Sequence, residues 1–155
     1  MTTEDMAQTL RVFLASASTL GLATVDDAGR PHAANVNFVA DDRLSLYFVS
    51  NPASAHARHI ARSPAVAATA YTPFREPAEI RGVQLRGMCA PITADEFDRA
   101  WAMFLRKFPY AAGFEQRVRE EQFYHIAPQW FRYTDNSVRF GFKWETAWPA
   151  QETNS

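Results

Sequence analysis

Between residues 19 and 50 the chain passes three times through a strand-like segment and doubles back after only a few residues each time. Residues 19–25, 31–39 and 44–50 are rich in β-branched, aromatic and small apolar side chains. They are separated by Asp26-Asp27-Ala28-Gly29 and by Asp41-Asp42-Arg43. Turns this short cannot carry a parallel crossover, so the three strands form an antiparallel meander. Gly29 supplies a position where positive φ costs nothing. A chain that opens this way is committed to a hairpin-ordered sheet, and its remaining segments must pack on or extend that sheet.

The flanking segments are consistent with this. Residues 3–15 read as a helix, with Met6, Leu10, Phe13 and Leu14 on one stripe. After the third strand, Asn51-Pro52 reads as a helix opening, with asparagine as cap and proline at the first helical position. Ala57, Ile60 and Ala61 give that helix an apolar side, and Ser63-Pro64 stops it. Residues 65–72 and 79–92 read as a fourth and a long fifth strand. Thr93 and Glu96 form a capping-box pattern before a helix with Phe97, Ala100, Trp101, Phe104 and Leu105 on one face. Residues 114–121 read as a further short helix. Residues 123–133 read as a strand in which Pro128 requires an edge or a bulge. A turn at 134–137 leads to a last strand over 138–142.

The expected fold class is therefore mainly β (α+β), a six- to seven-stranded antiparallel sheet with flanking helices. Closing it into a barrel removes its exposed edges; an open sheet with helices on one face is the alternative. Residues 1–149 suit a single domain with one core, followed by a polar tail over 150–155 that is expected to be disordered. The formal charge of -1 lacks the basic excess of a nucleic-acid binder. An acidic start and short apolar runs are expected of a protein without signal peptide or membrane span. Together with a single cysteine, Cys89, they lead to a cytoplasmic expectation.

One segment carries more chemistry than the rest. Residues 47–58 run from a strand directly into a helix start, where free N–H groups and the positive helix end suit a phosphate. Ser54 offers a hydroxyl, Arg58 a forked cation four residues on, and His56 a neighbouring donor. The residues alone leave a second reading open: Ser50 and Ser54 as plain helix caps, Arg58 and Arg62 as a solvated face. His56 and His59 are spaced for one helix side, yet no carboxylate or thiol accompanies them, so no metal is expected. Cys89 is expected to pack rather than react, and His32 and His125 to lie at the surface or an interface. The aromatic run at 123, 124, 130, 131, 133, 140, 142, 144 and 148 is divided between core, dimer seam and pocket wall, with the seam placed first.

Four segments carry a resemblance: 21–32 (GLATVDDAGRPH), 46–58 (LYFVS with SAHAR), 81–87 (RGVQLRG) and 131–137 (FRYTDNS). In their order and spacing they resemble the pyridoxamine 5'-phosphate oxidase-like FMN-binding split barrels, and within them a small bacterial group. The resemblance implies a split β-barrel that pairs as a homodimer with FMN at the subunit interface. It implies FMN phosphate near Ser54, His56 and Arg58, and the flavin ring near Asn35, Val36, Asn37, Val49 and Ser50. Gln84 and Arg86, two apart and so on one strand face, would reach the ring or the phosphate. Ala55 stands where the family often has a basic residue, and His56 where a lysine is common. The resemblance further implies an oxidoreductase that passes hydride between flavin and a small-molecule substrate, which explains why no acid–base or nucleophile constellation stands out. A homodimer that only binds flavin or another planar ligand is the alternative, and an empty dimeric scaffold a third reading.

Overall fold

The computed structural model describes residues 1–149 of the chain; the tail expected over 150–155 lies outside the described residues. The opening meander is present as β1 (Thr19–Val25), β2 (Pro31–Ala40) and β3 (Leu46–Ser50). Gly29 takes φ 75° in the first turn, where Asp26 Oδ1 accepts from the Ala28 and Arg30 amides. The second turn needs a positive φ as well, and Leu44 supplies it at 65°. Its side chain is fully buried, so core packing holds a conformation that leucine disfavours alone. This is why the third strand starts at Leu46 and not at residue 44.

The sheet continues through β4 (Ala65–Tyr71), β5 (Arg81–Pro91), β6 (Gln122–Asp135) and β7 (Lys143–Ala147). Strand order is β3-β2-β1-β4-β5-β6-β7, and β3 also pairs with β6. That second pairing closes six antiparallel strands into a barrel, with β7 added outside the closure. The closed form, not the open sheet, is the one adopted. It removes the edges that a six-stranded open sheet would expose.

Pro128 sits at a bulge and not at an edge. The β5–β6 register slips between Arg86 and Gly87, with Arg86 opposite Trp130 and Gly87 opposite Pro128. On its other side β6 pairs with β3 over 122–126 and with β7 over 130–134. Pro128 lies between the two, where a missing N–H disturbs neither ladder. Gly87 is required opposite it: a Cβ there would collide with the Ala127 carbonyl oxygen and lie 2.9 Å from Pro128 Cα.

The last strand is displaced from its expected position. Residues 138–142 form a turn, with Gly141 at φ 76°, and β7 begins at Lys143. Asp135 makes the turn: it is buried, and its carboxylate accepts from Tyr133 Oη (2.9 Å), the Ser137 amide (2.9 Å) and Ser137 Oγ (2.5 Å). The apolar residues Val138 and Phe140 mimic a strand in sequence yet are exposed, Phe140 at 85%.

Four helices flank the barrel: α1 (Thr3–Ser16), α2 (Ala55–Arg62), α3 (Phe97–Lys107) and α4 (Glu115–Glu120). Thr2 and Asp5 cap α1 reciprocally, and α1 buries Ala7, Leu10, Phe13 and Leu14. α2 buries Ala57 and Ile60 in the same core, which fills the barrel interior with Leu20, Leu22, Phe38, Phe48 and Phe131. The capping box of Thr93 and Glu96 is present, opening a short 3-10 turn that leads into α3. α3 lays Ala100, Trp101 and Phe104 over Val39, Tyr47 and Phe123, so a second core forms on the outside of β2, β3 and β6. Of the aromatic run, Phe123, Tyr124, Phe131 and Tyr133 are core, and Trp144 and Trp148 pack against it. No helix is long and apolar enough to cross a membrane among the described residues.

Candidate functional site

Helix α3 covers one side of the barrel and leaves the outer face of β1, β4 and β5 bare. Pairing registers fix what that face presents. Asn35, Gly21, Thr69, Gln84, Arg132 and Glu145 follow one another across β2, β1, β4, β5, β6 and β7. The next row holds Ala33, Ala23, Ala67, Arg86 and Trp130. Gly21, Ala23, Ala33, Ala67 and Thr69 are small and form a flat floor; Gln84, Arg86, Trp130, Arg132 and Glu145 are long and form a wall. Floor and wall line a cavity of about 510 Å³, with Asn35 beyond its rim.

The wall is a cationic, aromatic arrangement. The Arg86 guanidinium carbon lies 4.2 Å from the Trp130 ring centroid, and that of Arg132 lies 5.6 Å from it. Such contacts contribute about 0.5–1 kcal/mol each where water reaches them. Arg132 Nη2 donates to Glu145 Oε1 at 2.9 Å, which anchors the guanidinium. Its Nε is buried and has no partner among the described residues. An unpaired buried donor costs about 1–3 kcal/mol, which a bound acceptor would recover. Gln84 and Arg86 share this face, as their spacing predicts. Arg132 and Glu145 escaped sequence reasoning because only the register of strands far apart in sequence brings them alongside Gln84.

The helix start behaves differently. Asn51 is not the cap of α2. Its Oδ1 accepts from the Ala53 amide at 2.8 Å and closes a turn, and Ser54 caps the helix by accepting from the Ala57 amide at 3.3 Å. His56 Nε2 lies 2.7 Å from Ser50 Oγ and 3.3 Å from Ser54 Oγ. Ser50, Ser54 and His56 therefore form one network. Burial, followed by repulsion from His32 and His59, lowers the His56 pKa, so its ring is neutral at pH 7. His59 continues the cluster: its Nδ1 is 2.9 Å from Oγ1 of the buried Thr24, and its ring meets that of His32 edge-on at 5.2 Å.

The expected site residues thus fall into separate groups within one chain. Asn35, Gln84 and Arg86 lie on the bare outer face. Asn37 lies on the same side of β2 and accepts from Thr19 Oγ1 at 3.3 Å. Val36 faces the core at 7% exposure, and Val49 packs against the outer core under α3. Arg58 is exposed and lines a different cavity, of about 380 Å³, with His59, Arg62 and the β1–β2 turn residues Asp26, Asp27 and Arg30. His125 stacks on Tyr47, with centroids 5.0 Å apart. Cys89 is 1% exposed, and burial pushes its thiol up to about 12, which removes it from nucleophilic chemistry.

Comparison with known proteins places this geometry. The model of the family described as pyridoxamine 5'-phosphate oxidase matches residues 6–135. The chain belongs to this family. Among its relatives, the UPF0306 protein YhbP of Salmonella paratyphi A is 31% identical over 120 residues, covering 77% of this chain and 78% of the relative. A heme binding protein from Mycobacterium smegmatis shares the fold with a TM-score of 0.77 at 22% identity, over 91% of this chain and 57% of that one. HutZ, the heme storage protein of Vibrio cholerae, superposes with a TM-score of 0.65 at 18% identity, over 83% and 91%. The split barrel of the pyridoxamine 5'-phosphate oxidase family is thus the fold on which the bare face and the α2 start are built.

Proposed function

We propose that this chain is an FMN-binding homodimer that works as an oxidoreductase on a small organic molecule. The observation that carries the reading is the bare outer face: a floor of Gly21, Ala23, Ala33 and Ala67 beside a wall of Gln84, Arg86, Trp130 and Arg132. A floor without side-chain bulk admits a planar ring, and the wall offers donors and positive charge to its polar edge or to a phosphate. FMN supplies the two-electron chemistry when bound; the protein holds and orients it.

A dimer through this face also resolves the division of the site. Arg86 and Arg58 line different cavities in one chain. In a homodimer the ring would rest on the outer face of one subunit, and the phosphate would meet Ser54, His56 and Arg58 of the other. The neutral His56 contributes a hydrogen bond there, and Arg58 the charge. A cytoplasmic location accords with the single buried, unpaired Cys89.

A second reading keeps the same site without turnover. The fold neighbours from M. smegmatis and V. cholerae are named as heme binding and heme storage proteins, which supports a reading in which this barrel holds a planar ligand. The visible spectrum of the purified protein, with mass identification of the released ligand, tests both. A yellow protein that releases FMN and is bleached anaerobically by NADH or NADPH supports the oxidoreductase. A bound planar ligand that resists such reduction supports the holder. A colourless protein that ignores added FMN overturns the flavin reading.

A further inference from the structure

Two loops at one end of the barrel expose apolar side chains that the candidate site does not use. Residues 72–80 join β4 to β5, and residues 136–142 join β6 to β7. The Asn136 amide donates to the Ile80 carbonyl oxygen at 2.9 Å, and Asn136 Nδ2 to that of Pro77 at 3.0 Å, so the loops stand side by side. Phe74 on the first loop and Val138 and Phe140 on the second are exposed, Phe140 at 85%. Val12 of α1 is exposed as well and lines a cleft of about 570 Å³ with Thr72, Pro73 and Arg81, which places it beside the first loop. Exposed apolar groups gathered in this way mark an interaction surface.

Both loops are braced from within. Glu79 Oε2 accepts from the Arg75 amide at 2.7 Å and the Glu76 amide at 3.3 Å. Asn136 Oδ1 accepts from the Gly141 amide at 3.0 Å, and Asp135 holds the Ser137 amide at 2.9 Å. Cations accompany the apolar tips. Arg75, Arg81, Arg139 and Lys143 are exposed and make no ion pair among the described residues. The exposed carboxylates on the same segments are Glu76 and Glu79, and Glu79 is turned onto its own loop. Asp135, opposite Arg81, is buried. These segments therefore present an excess of positive charge on a chain whose formal charge is -1.

From this arrangement we propose that this end of the barrel docks on an anionic phospholipid surface. Phe74, Val138 and Phe140 enter the headgroup layer, and Arg75, Arg139 and Lys143 meet lipid phosphates. Lipid suits these tips better than a protein partner does. The apolar side chains stand on separate loops with cations next to them, and a fluid headgroup layer takes up such projections without matching their shape. The buried centre of a protein interface is instead depleted in charge. None of these loop residues lines the cavity on the bare outer face, so the docking surface stands whether or not that cavity holds FMN.

Co-sedimentation of the full chain with vesicles tests this. Vesicles of phosphatidylglycerol mixed with phosphatidylcholine should carry the protein down, and vesicles of phosphatidylcholine alone should carry far less. About 1 M sodium chloride should release most of it, because the lipid charge is then screened. Phe140→Ser should lower the partition coefficient about tenfold, the scale of burying one aromatic side chain. Arg139→Gln should lower it about fivefold, the scale of one basic residue at an anionic surface. Phe114→Ser, at an exposed aromatic residue outside these loops, should leave it unchanged. Absence of sedimentation with the anionic vesicles overturns the proposal, and so does equal sedimentation of Phe140→Ser and the wild type. Light scattering without lipid covers the remaining case: an oligomer that Phe140→Ser breaks would assign these loops to a second copy of the chain and overturn the lipid assignment.

Discussion

Ser50 Oγ lies 2.7 Å from His56 Nε2, and this contact ties the end of β3 to the first turn of α2. The burial of His56 at this junction makes stability depend on pH. The folded state holds His56 below its ordinary pKa, first through burial and then through His32 and His59. The unfolded chain takes up a proton near pH 6.5 that the folded chain refuses. The stabilising contribution is therefore complete above about pH 7 and is lost as pH falls through about 6.5 toward the lowered value. Urea unfolding between about pH 5 and 8 should show this slope, and His56→Gln should flatten it; an undiminished slope in the variant would place the titration elsewhere.

Gly87 is expected to tolerate no side chain. A Cβ would strike the Ala127 carbonyl and crowd Pro128, both of them backbone in a paired strand. Gly87→Ala should cost about 1–3 kcal/mol or more in chemical denaturation, as overpacking against an unyielding backbone does. Gly113, where a Cβ would meet nothing within 4 Å, is the control. Gly113→Ala should be close to neutral.

The divided site makes a prediction about mixed dimers. Arg58→Ala and Arg132→Ala should each weaken FMN binding by about tenfold or more, the scale of one charge-assisted hydrogen bond. In the proposed homodimer, refolding the two variants together would give heterodimers in which one of the two sites has both arginines. Roughly a quarter of the tight sites should return if exchange is statistical. Light scattering on the same samples checks the dimer itself. No recovery would mean that each site is built within one subunit.

Cys89 should be inert while the fold lasts. Its thiol is buried in β5 and pushed up to about 12. An aromatic disulfide reagent at pH 8 should label it no faster than the strand opens, and rapidly in urea. Fast stoichiometric labelling of the native protein would contradict its place in the core.

Local chemistry made much of this fold legible. The Asp26–Gly29 turn, the Thr93–Glu96 box and the two-residue spacing of Gln84 and Arg86 each stand where their residue types demand. Three misplacements share one cause, tertiary context overruling a local signal. Asn51 has the composition of a cap but closes a turn, because Ser54 is the residue in reach of the Ala57 amide. Val138 and Phe140 look like strand, but the Asp135 carboxylate gathers Tyr133 and Ser137 and turns the chain first. Leu44 sits at positive φ because the core takes its side chain. The wall of the candidate site was the least legible part. Arg132 and Glu145 join Gln84 only through pairings set by barrel closure and the bulge at Gly87, and no local pattern encodes that register.

In the proposed complex a planar flavin lies on the bare face beside Trp130. Equilibrium titration of FMN into the protein, read by flavin fluorescence, tests it most directly. Saturable quenching at one FMN per subunit is expected, because a flavin stacked beside an indole is quenched. Trp130→Ala should lose much of both affinity and quenching, with the fold intact by circular dichroism. Flavin fluorescence that stays unchanged on adding wild-type protein, or an identical titration in Trp130→Ala, would contradict it.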